Sequence, residues 1–417
     1  MNSLRFTIGI LLVVFAERSV MLATAKEVEQ PSGAKVGQTD TPVLSATAPV
    51  ADVAPMPPQQ GSVALSSTMS RDDSLAGCCL PCCNSPCPRF YGEVEALFMK
   101  QEPQFARQPI IVNETFGNNT PTTLLSTSDL DFNFDPGLRA TVGMRLCDCR
   151  ALEFEYFGLF GGNTSAATAK PVGGFITFPN GPFGNVFQNM DTVQVKYSSS
   201  VQSFAVNLPC CCGCCTCCNE CRDECGCGKV GGECGCAKCR DECGCGEVRC
   251  RSLEWFAGFR YLNVNQNLNI SAQATVSGMV EEGSYDISTS NNLFGAQAGA
   301  RLRGSWGRFG WEATGMAGIF GNAAHQTQTV NDYLIQWRNA SSSGGEVAFV
   351  GELNLSAFYR LTDVWDLKAG YNLMWIDGLA LAPDQLDFNF APPNGNQLQN
   401  GGAMFLHGVN VGLEARW

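Results

Sequence analysis

From residue 90 to the C-terminus, apolar and polar residues alternate in ten runs, the period-two signature of strands with two unlike faces. The last run is the clearest, with Val409, Val411, Leu413, Ala415 and Trp417 on one face and Asn410, Glu414 and Arg416 on the other. Earlier runs occupy 90–98, 138–146, 152–156, 204–208, 253–261, 294–302, 311–319, 347–359 and 367–375. An outer-membrane barrel needs an apolar exterior, a polar interior and aromatics at the interfaces, and a terminal strand ending on Trp417 fits that need. A soluble β-sandwich also alternates, but with shorter strands that hide the apolar face against a second sheet. The pattern predicts an all-β, antiparallel transmembrane barrel of about ten strands, within a range of about 8–14, each long enough to cross the hydrocarbon core in roughly 9–11 residues.

The spacing between runs predicts a two-ended barrel. Long connections are expected at 101–137, 161–197, 263–291, 321–345 and 380–402, and tight turns at 147–150, 305–308 and 362–365. Long extracellular loops and short periplasmic turns are the rule for such barrels, so strand one is expected to start in the periplasm.

The N-terminus reads as an export signal over 1–25, with a basic start, an apolar run at 6–16 and Ala23-Thr24-Ala25 as a cleavage site before Lys26. Residues 26–77, rich in Ala, Pro, Ser, Thr, Val and Gln, read as a disordered tether. No later apolar run reaches the length of a membrane helix. Only 16% of residues are charged while Gly numbers 45 and Phe 26, which suits strands and turns rather than helices with charged faces. A net charge of −12 without a basic cluster excludes a nucleic-acid binder.

One tight turn is replaced by an insertion at 209–251, and it carries sixteen of the 23 cysteines. Glu-Cys-Gly-Cys recurs there with a period of nine, and the other cysteines lie at 78–87 and at Cys147 and Cys149. In this topology all of them fall on the periplasmic side. Closely spaced thiolates suit zinc or copper(I), with Cys225, Cys227, Cys234, Cys236, Cys239, Cys243 and Cys245 as candidate ligands. Export to an oxidising compartment favours disulfide cross-links instead, within the loop, to the 78–89 segment or to neighbouring envelope proteins. An unstructured repeat expansion is the third reading.

The inward positions carry eight acids, Glu93, Glu95, Glu153, Glu155, Glu254, Glu312, Glu352 and Glu414, and eight bases, Arg139, Arg145, Arg260, Arg301, Arg303, Arg360, Lys368 and Arg416. Unpaired charge inside a narrow barrel is costly, so the balance predicts Glu–Arg pairs across the lumen. Eight strands are just filled by their side chains and open channels need about sixteen, so ten strands lie near the filled limit. Catalysis has little to stand on. His325 and His407 belong to no nucleophile motif, and the Gly pairs at 173–174 and 344–345 precede no helix that would make them phosphate cradles. No catalytic residue and no bound cofactor is expected.

The run Leu125-Ser126-Thr127-Ser128-Asp129-Leu130-Asp131-Phe132, then Asp135-Pro136-Gly137-Leu138-Arg139-Ala140, Ala151-Leu152-Glu153-Phe154-Glu155-Tyr156-Phe157-Gly158 and Trp255-Phe256-Ala257-Gly258-Phe259-Arg260-Tyr261-Leu262, resembles β-barrel porin family seven of planctomycete bacteria. The resemblance covers roughly 90–417 outside the cysteine insertion and implies architecture, with no functional residues to carry over. The expectation is an outer-membrane barrel passing small solutes. The alternative is a structural envelope barrel with a filled lumen, cross-linked or metal-binding through its cysteines. Its expected partners are outer-membrane lipid, the barrel-assembly machinery and disulfide-linked envelope proteins, with the N-terminus and the cysteine insertion in the periplasm.

Overall fold

The computed structural model describes residues 90–114, 121–147, 150–179, 184, 186–212, 249–333, 335–389 and 395–417. The expected signal, tether, first cysteine group and the seven candidate thiolate ligands lie outside them. Thirteen strands follow in chain order: β1 (Phe90–Gln104), β2 (Pro109–Asn113), β3 (Thr122–Ser126), β4 (Phe134–Cys147), β5 (Arg150–Ala169), β6 (Ile176–Thr177), β7 (Thr192–Cys212), β8 (Arg249–Val276), β9 (Met279–Trp306), β10 (Phe309–Asp332), β11 (Ile335–Arg360), β12 (Trp365–Leu379) and β13 (Gly402–Arg416). Ten of them close into an antiparallel barrel in the order β1-β13-β12-β11-β10-β9-β8-β7-β5-β4, with β4 pairing back to β1. β2, β3 and β6 form a separate small sheet.

The ten predicted runs are the ten barrel strands. Val94, Phe98, Phe154, Phe204, Trp255, Phe259, Phe294, Ile319, Val347, Leu355, Val409 and Leu413 are all exposed on the outside, as a lipid-facing band requires. Trp417 closes the ring by exchanging backbone hydrogen bonds with Phe90 at 2.9 Å in both directions.

Two of the expected loops are strands. β8 and β9 run 28 residues each and meet in a two-residue hairpin at Ser277 and Gly278, both with positive φ. β10 and β11 likewise continue through 321–345. The physical reason lies in the side chains. On β8 the odd positions face outward throughout, carrying Leu253, Trp255, Phe259 and Tyr261 and then Asn263, Asn265, Asn267 and Asn269. The even positions face inward and change the opposite way, from Glu254 and Arg260 to Leu262, Val264, Leu268 and Ile270, the last four fully buried. The alternation reverses sign at Tyr261 and Leu262 rather than stopping. Below that point the strand stands in lipid, and above it the strand has the apolar-in, polar-out pattern of a sheet in water.

The barrel therefore has a turn end, with the short β4–β5, β9–β10 and β11–β12 connections, and a loop end of tall hairpins. Cys147 ends β4, Cys210 lies in register with Arg150, and the segment joining β7 to β8 leaves from the turn end.

Candidate functional site

The barrel interior is the site that sequence reading points to, and it is occupied at three successive levels. Nearest the turn end lies a network of ionic side chains. Arg139 bridges Glu352, Glu95 and Glu155. Arg260 spans Glu155 at 3.2 Å and Glu352 at 3.0 Å, and Arg301 spans Glu153 and Glu254, both at 3.2 Å. Lys368 holds Glu93 at 2.7 Å and Glu312 at 2.9 Å. Arg303 reaches Glu312, Glu414 and Asp366, and Arg416 reaches Glu414 and Asp366. Arg360 lies at the edge, 3.7 Å from Asp366 and half exposed.

Fifteen of the sixteen charges singled out from sequence meet here. Arg145 does not: it is half-buried on β4, and no ion pair with it occurs among the described residues. Asp366, which sequence reading left between the turn at 362–365 and the run at 367–375, takes a central place. It could have been found by carrying the β12 alternation one step back from Lys368. Nine carboxylates thus share seven cations, in place of the expected balance of eight and eight. Neutral amides complete the layer: Asn372 accepts from Arg139 at 2.9 Å, Asn410 donates to Glu95, and Gln297 donates to Asn207 at 2.7 Å. The space left between these side chains is a cavity of about 50 Å³. That is room for a few waters.

The second level is apolar. Leu97, Phe157, Leu159, Leu262, Leu293, Val350, Met374, Ile376 and Leu406 point inward and are fully buried, with Phe256, Met316 and Phe320 packed among them. Arg139 covers the seam between the two levels, 5.5 Å from the centre of the Phe157 ring, while Arg303 packs 4.1 Å from the centre of the Phe358 ring on the turn-end side of the ionic level. Gly299 permits the packing. A Cβ there would meet the Phe256 ring at 2.4 Å.

The third level is a segment folded into the loop-end mouth. After β12, Leu379, Ala380, Leu381 and Ala382 are fully buried, and a 3-10 turn follows at Ala382–Gln385. A buried backbone must find partners for its amides and carbonyls. Here inward-facing side chains supply them. Asn322 donates to Gly378 O at 2.8 Å, Asn291 bonds both backbone groups of Ala380, and Gln266 accepts from the Ala382 N–H at 3.0 Å. Gln328 donates to Gln385 O at 2.7 Å, and Arg338 donates to Asp387 O and Asn389 O, both at 2.7 Å. From the β1 side, the Ala106 N–H donates to Asp384 and Gln108 donates to Pro383 O. Burial raises the Asp384 carboxyl above its ordinary range, an effect partly opposed by the Ala106 N–H. Above the segment, Ile110, Ile111, Phe132, Phe178 and Phe187 from the small sheet and its flanking loops fill the hairpin interior. None of these plug-holding residues was singled out from the sequence, because their stretches read as loops.

A profile of the family described as "Putative beta barrel porin-7" matches residues 107–417. The chain belongs to this family. Among solved structures, it is similar to the outer membrane protease OmpT from Escherichia coli, at 7% identity and TM-score 0.38, over 79% of this chain and 97% of that one. It is also similar to the translocator domain of the autotransporter NalP from Neisseria meningitidis, at 10% identity and TM-score 0.30, over 80% and 90%. A third similarity is to an outer membrane channel from Pseudomonas putida F1, at 8% identity and TM-score 0.24, over 80% and 97%. No curated protein matches the chain. By its family and its closed ten-stranded barrel with an apolar outer band, the family member is an outer-membrane β-barrel.

Two further sequence candidates lie away from the lumen. His325 faces outward, 2.8 Å from Ser343 Oγ, and His407 faces outward between Tyr371, at 2.7 Å, and Glu102, at 3.4 Å. Among the described residues no cluster of His, Cys, Asp and Glu has the arrangement of a metal site.

Proposed function

We propose that this family member is an outer-membrane barrel with a closed lumen that serves the envelope structurally, its loop end outward and its turn end, with the cysteine-rich segments, in the periplasm. The observation that carries this reading is that the first two blocking levels are built from side chains of the barrel strands themselves. Moving a loop would not clear Arg139, Arg260, Phe256 or Met316, which are fixed to the wall. The charge network resists opening as well, because removing one partner of a buried pair leaves an uncompensated charge at a cost of about 3–5 kcal/mol. Cross-linking or metal binding through the periplasmic cysteines would tie such a barrel to its surroundings, and the family description favours a non-catalytic role.

Passage of small solutes is the second reading, favoured by the family description. It requires both displacement of the 379–389 segment and rearrangement of the ionic and apolar levels. A liposome-swelling assay with sugars of graded size tests the choice. The closed barrel gives no swelling above lipid alone, and size-dependent swelling overturns it in favour of a pore.

A further inference from the structure

Beyond the lipid-facing band, the outward side of the tall hairpins presents an unusual surface. Over the outward positions of β7–β10 at 194–202, 263–273, 282–292 and 323–331, the charged residues are Lys196, Glu282 and Asp286. A sheet that merely faces water normally carries about 25–35% charged residues for solubility. Here the positions are instead filled by amides and hydroxyls, with the four asparagines Asn263, Asn265, Asn267 and Asn269 in one column, about 7 Å apart.

Each of these amides donates to a neighbour. Asn263 donates to Asn292 at 3.0 Å, Asn265 to Asn263 at 2.5 Å, Asn267 to Ser288 at 2.8 Å and Asn269 to Asp286 at 2.5 Å. A primary amide has two donors and two acceptor lone pairs, so a second donor remains on Asn265, Asn267 and Asn269, held in fixed orientation by the first bond, while Asn263 spends both donors within the sheet, the second on Asn291 O at 3.3 Å. The face is also sculpted. Hollows of about 440, 720 and 740 Å³ lie along it, the first between Ser198, Asn265, Ser290 and His325. They are open hollows whose volumes lie within the roughly 300–1,000 Å³ of ligand sites, whereas the ionic level of the lumen keeps about 50 Å³.

We propose that this face docks the uncharged, hydroxyl-rich sugar chains of glycolipids in the same membrane leaflet. The proposal rests on the reading that the loop end points away from the cell. Position favours it, because the face continues the lipid-facing band on the same strands. The sixteen residues from Tyr261 to Val276 span about 50 Å of strand, some 35–40 Å of height at the usual tilt, through the layer such sugars occupy. Chemistry favours it too. Lipid phosphates would call for clustered cations, and Lys196 stands without another on this stretch. A second copy of the chain would need an apolar patch or a free sheet edge; the tall strands have their free edges on β5 and β11, at 160–169 and 335–348, to either side of the asparagine column on β8, and Ala323 is the one aliphatic residue at the outward positions of this stretch.

The test is titration calorimetry of the full chain in detergent with polysaccharide released by mild acid from the outer-membrane glycolipid of the source cells. Two variants are compared, N265A/N267A and N265K/N267K, each checked for folding by its heat-modifiable gel mobility. Binding by the native chain that falls at least tenfold in a folded variant is expected. No binding by the folded native chain, or equal binding by both variants, overturns the proposal. So does a dimer in sedimentation that these substitutions dissolve, which would assign the face to a second copy. Antibody detection of an epitope inserted at 277–278 on intact cells tests the orientation separately, so its failure is distinguishable from failure of sugar binding.

Discussion

Asn291 grips Ala380 by both backbone groups: its Nδ2 donates to the carbonyl at 2.9 Å and its Oδ1 accepts from the amide at 2.7 Å. One side chain on β9 thereby satisfies both backbone groups of a residue buried in the barrel mouth. Asn322, which donates to Asn291 Oδ1 at 2.9 Å, locks the clasp from β10. Asn291→Leu would leave two buried backbone groups unpaired, at about 1–3 kcal/mol each. Faster protease cleavage and amide exchange across 379–389 are expected, with the barrel strands unchanged. Equal protection in the variant would show that the clasp does not hold the segment.

The ionic level makes a separate prediction about stability. Arg139→Met removes the guanidinium that Glu95, Glu155 and Glu352 share. A loss of about 3–5 kcal/mol is expected in urea unfolding from detergent or lipid. In the E352Q background the same substitution should cost less, because fewer carboxylates lose their partner. Equal costs in both backgrounds would mean the pair is not coupled.

At the apolar level, Gly299→Val places a side chain where the Phe256 ring lies. Overpacking of this kind costs about 1–3 kcal/mol. The combination with Phe256→Ala should recover part of that loss, and a double variant no more stable than the sum of the two would contradict the contact.

Much of the fold was legible because each lipid-crossing run keeps its period and its apolar outer face, so the strand number followed from counting runs. What escaped notice was a change of phase. Past Tyr261 the apolar residues of β8 move from the outward to the inward positions, so a search for lipid-facing residues loses the strand while its alternation continues through Val264, Leu268 and Ile270. The same blind spot hid Gln266, Asn291 and Asn322, inward amides whose partners are backbone groups of a distant segment that pairwise spacing does not reveal. The lumen charges were legible since Glu and Arg at inward positions of a lipid-facing strand have nowhere else to go, and Asp366 escaped because it is the second residue of β12, between the predicted turn and the predicted run.

The phase change predicts opposite tolerance on a single strand. Phe259→Arg places a cation in lipid, with a penalty of up to about 2–4 kcal/mol near the bilayer midplane, whereas Asn267→Arg eight positions on should stay within about 0.5 kcal/mol. Unfolding from lipid vesicles measures both. Similar penalties at the two sites would place the membrane boundary elsewhere.

Asp384 links the plug to pH. Its carboxyl is raised in the folded chain by burial, so its contribution is fully present below the ordinary aspartate range and is lost as pH rises through the folded value. Exchange protection of the 379–389 amides should therefore fall from about pH 4 towards pH 7, after correction for the intrinsic rate. In Asp384→Asn that trend should vanish. A trend of the same size in the variant would assign it to another group.

The closed lumen itself is tested most directly by single-channel recording of the refolded chain in planar bilayers, beside a variant with 382–399 replaced by a short turn. The account predicts silence from both, because the levels formed by Arg139, Arg260, Phe256 and Met316 remain when the plug is gone. Steady conductance from the native chain would contradict it and establish a pore.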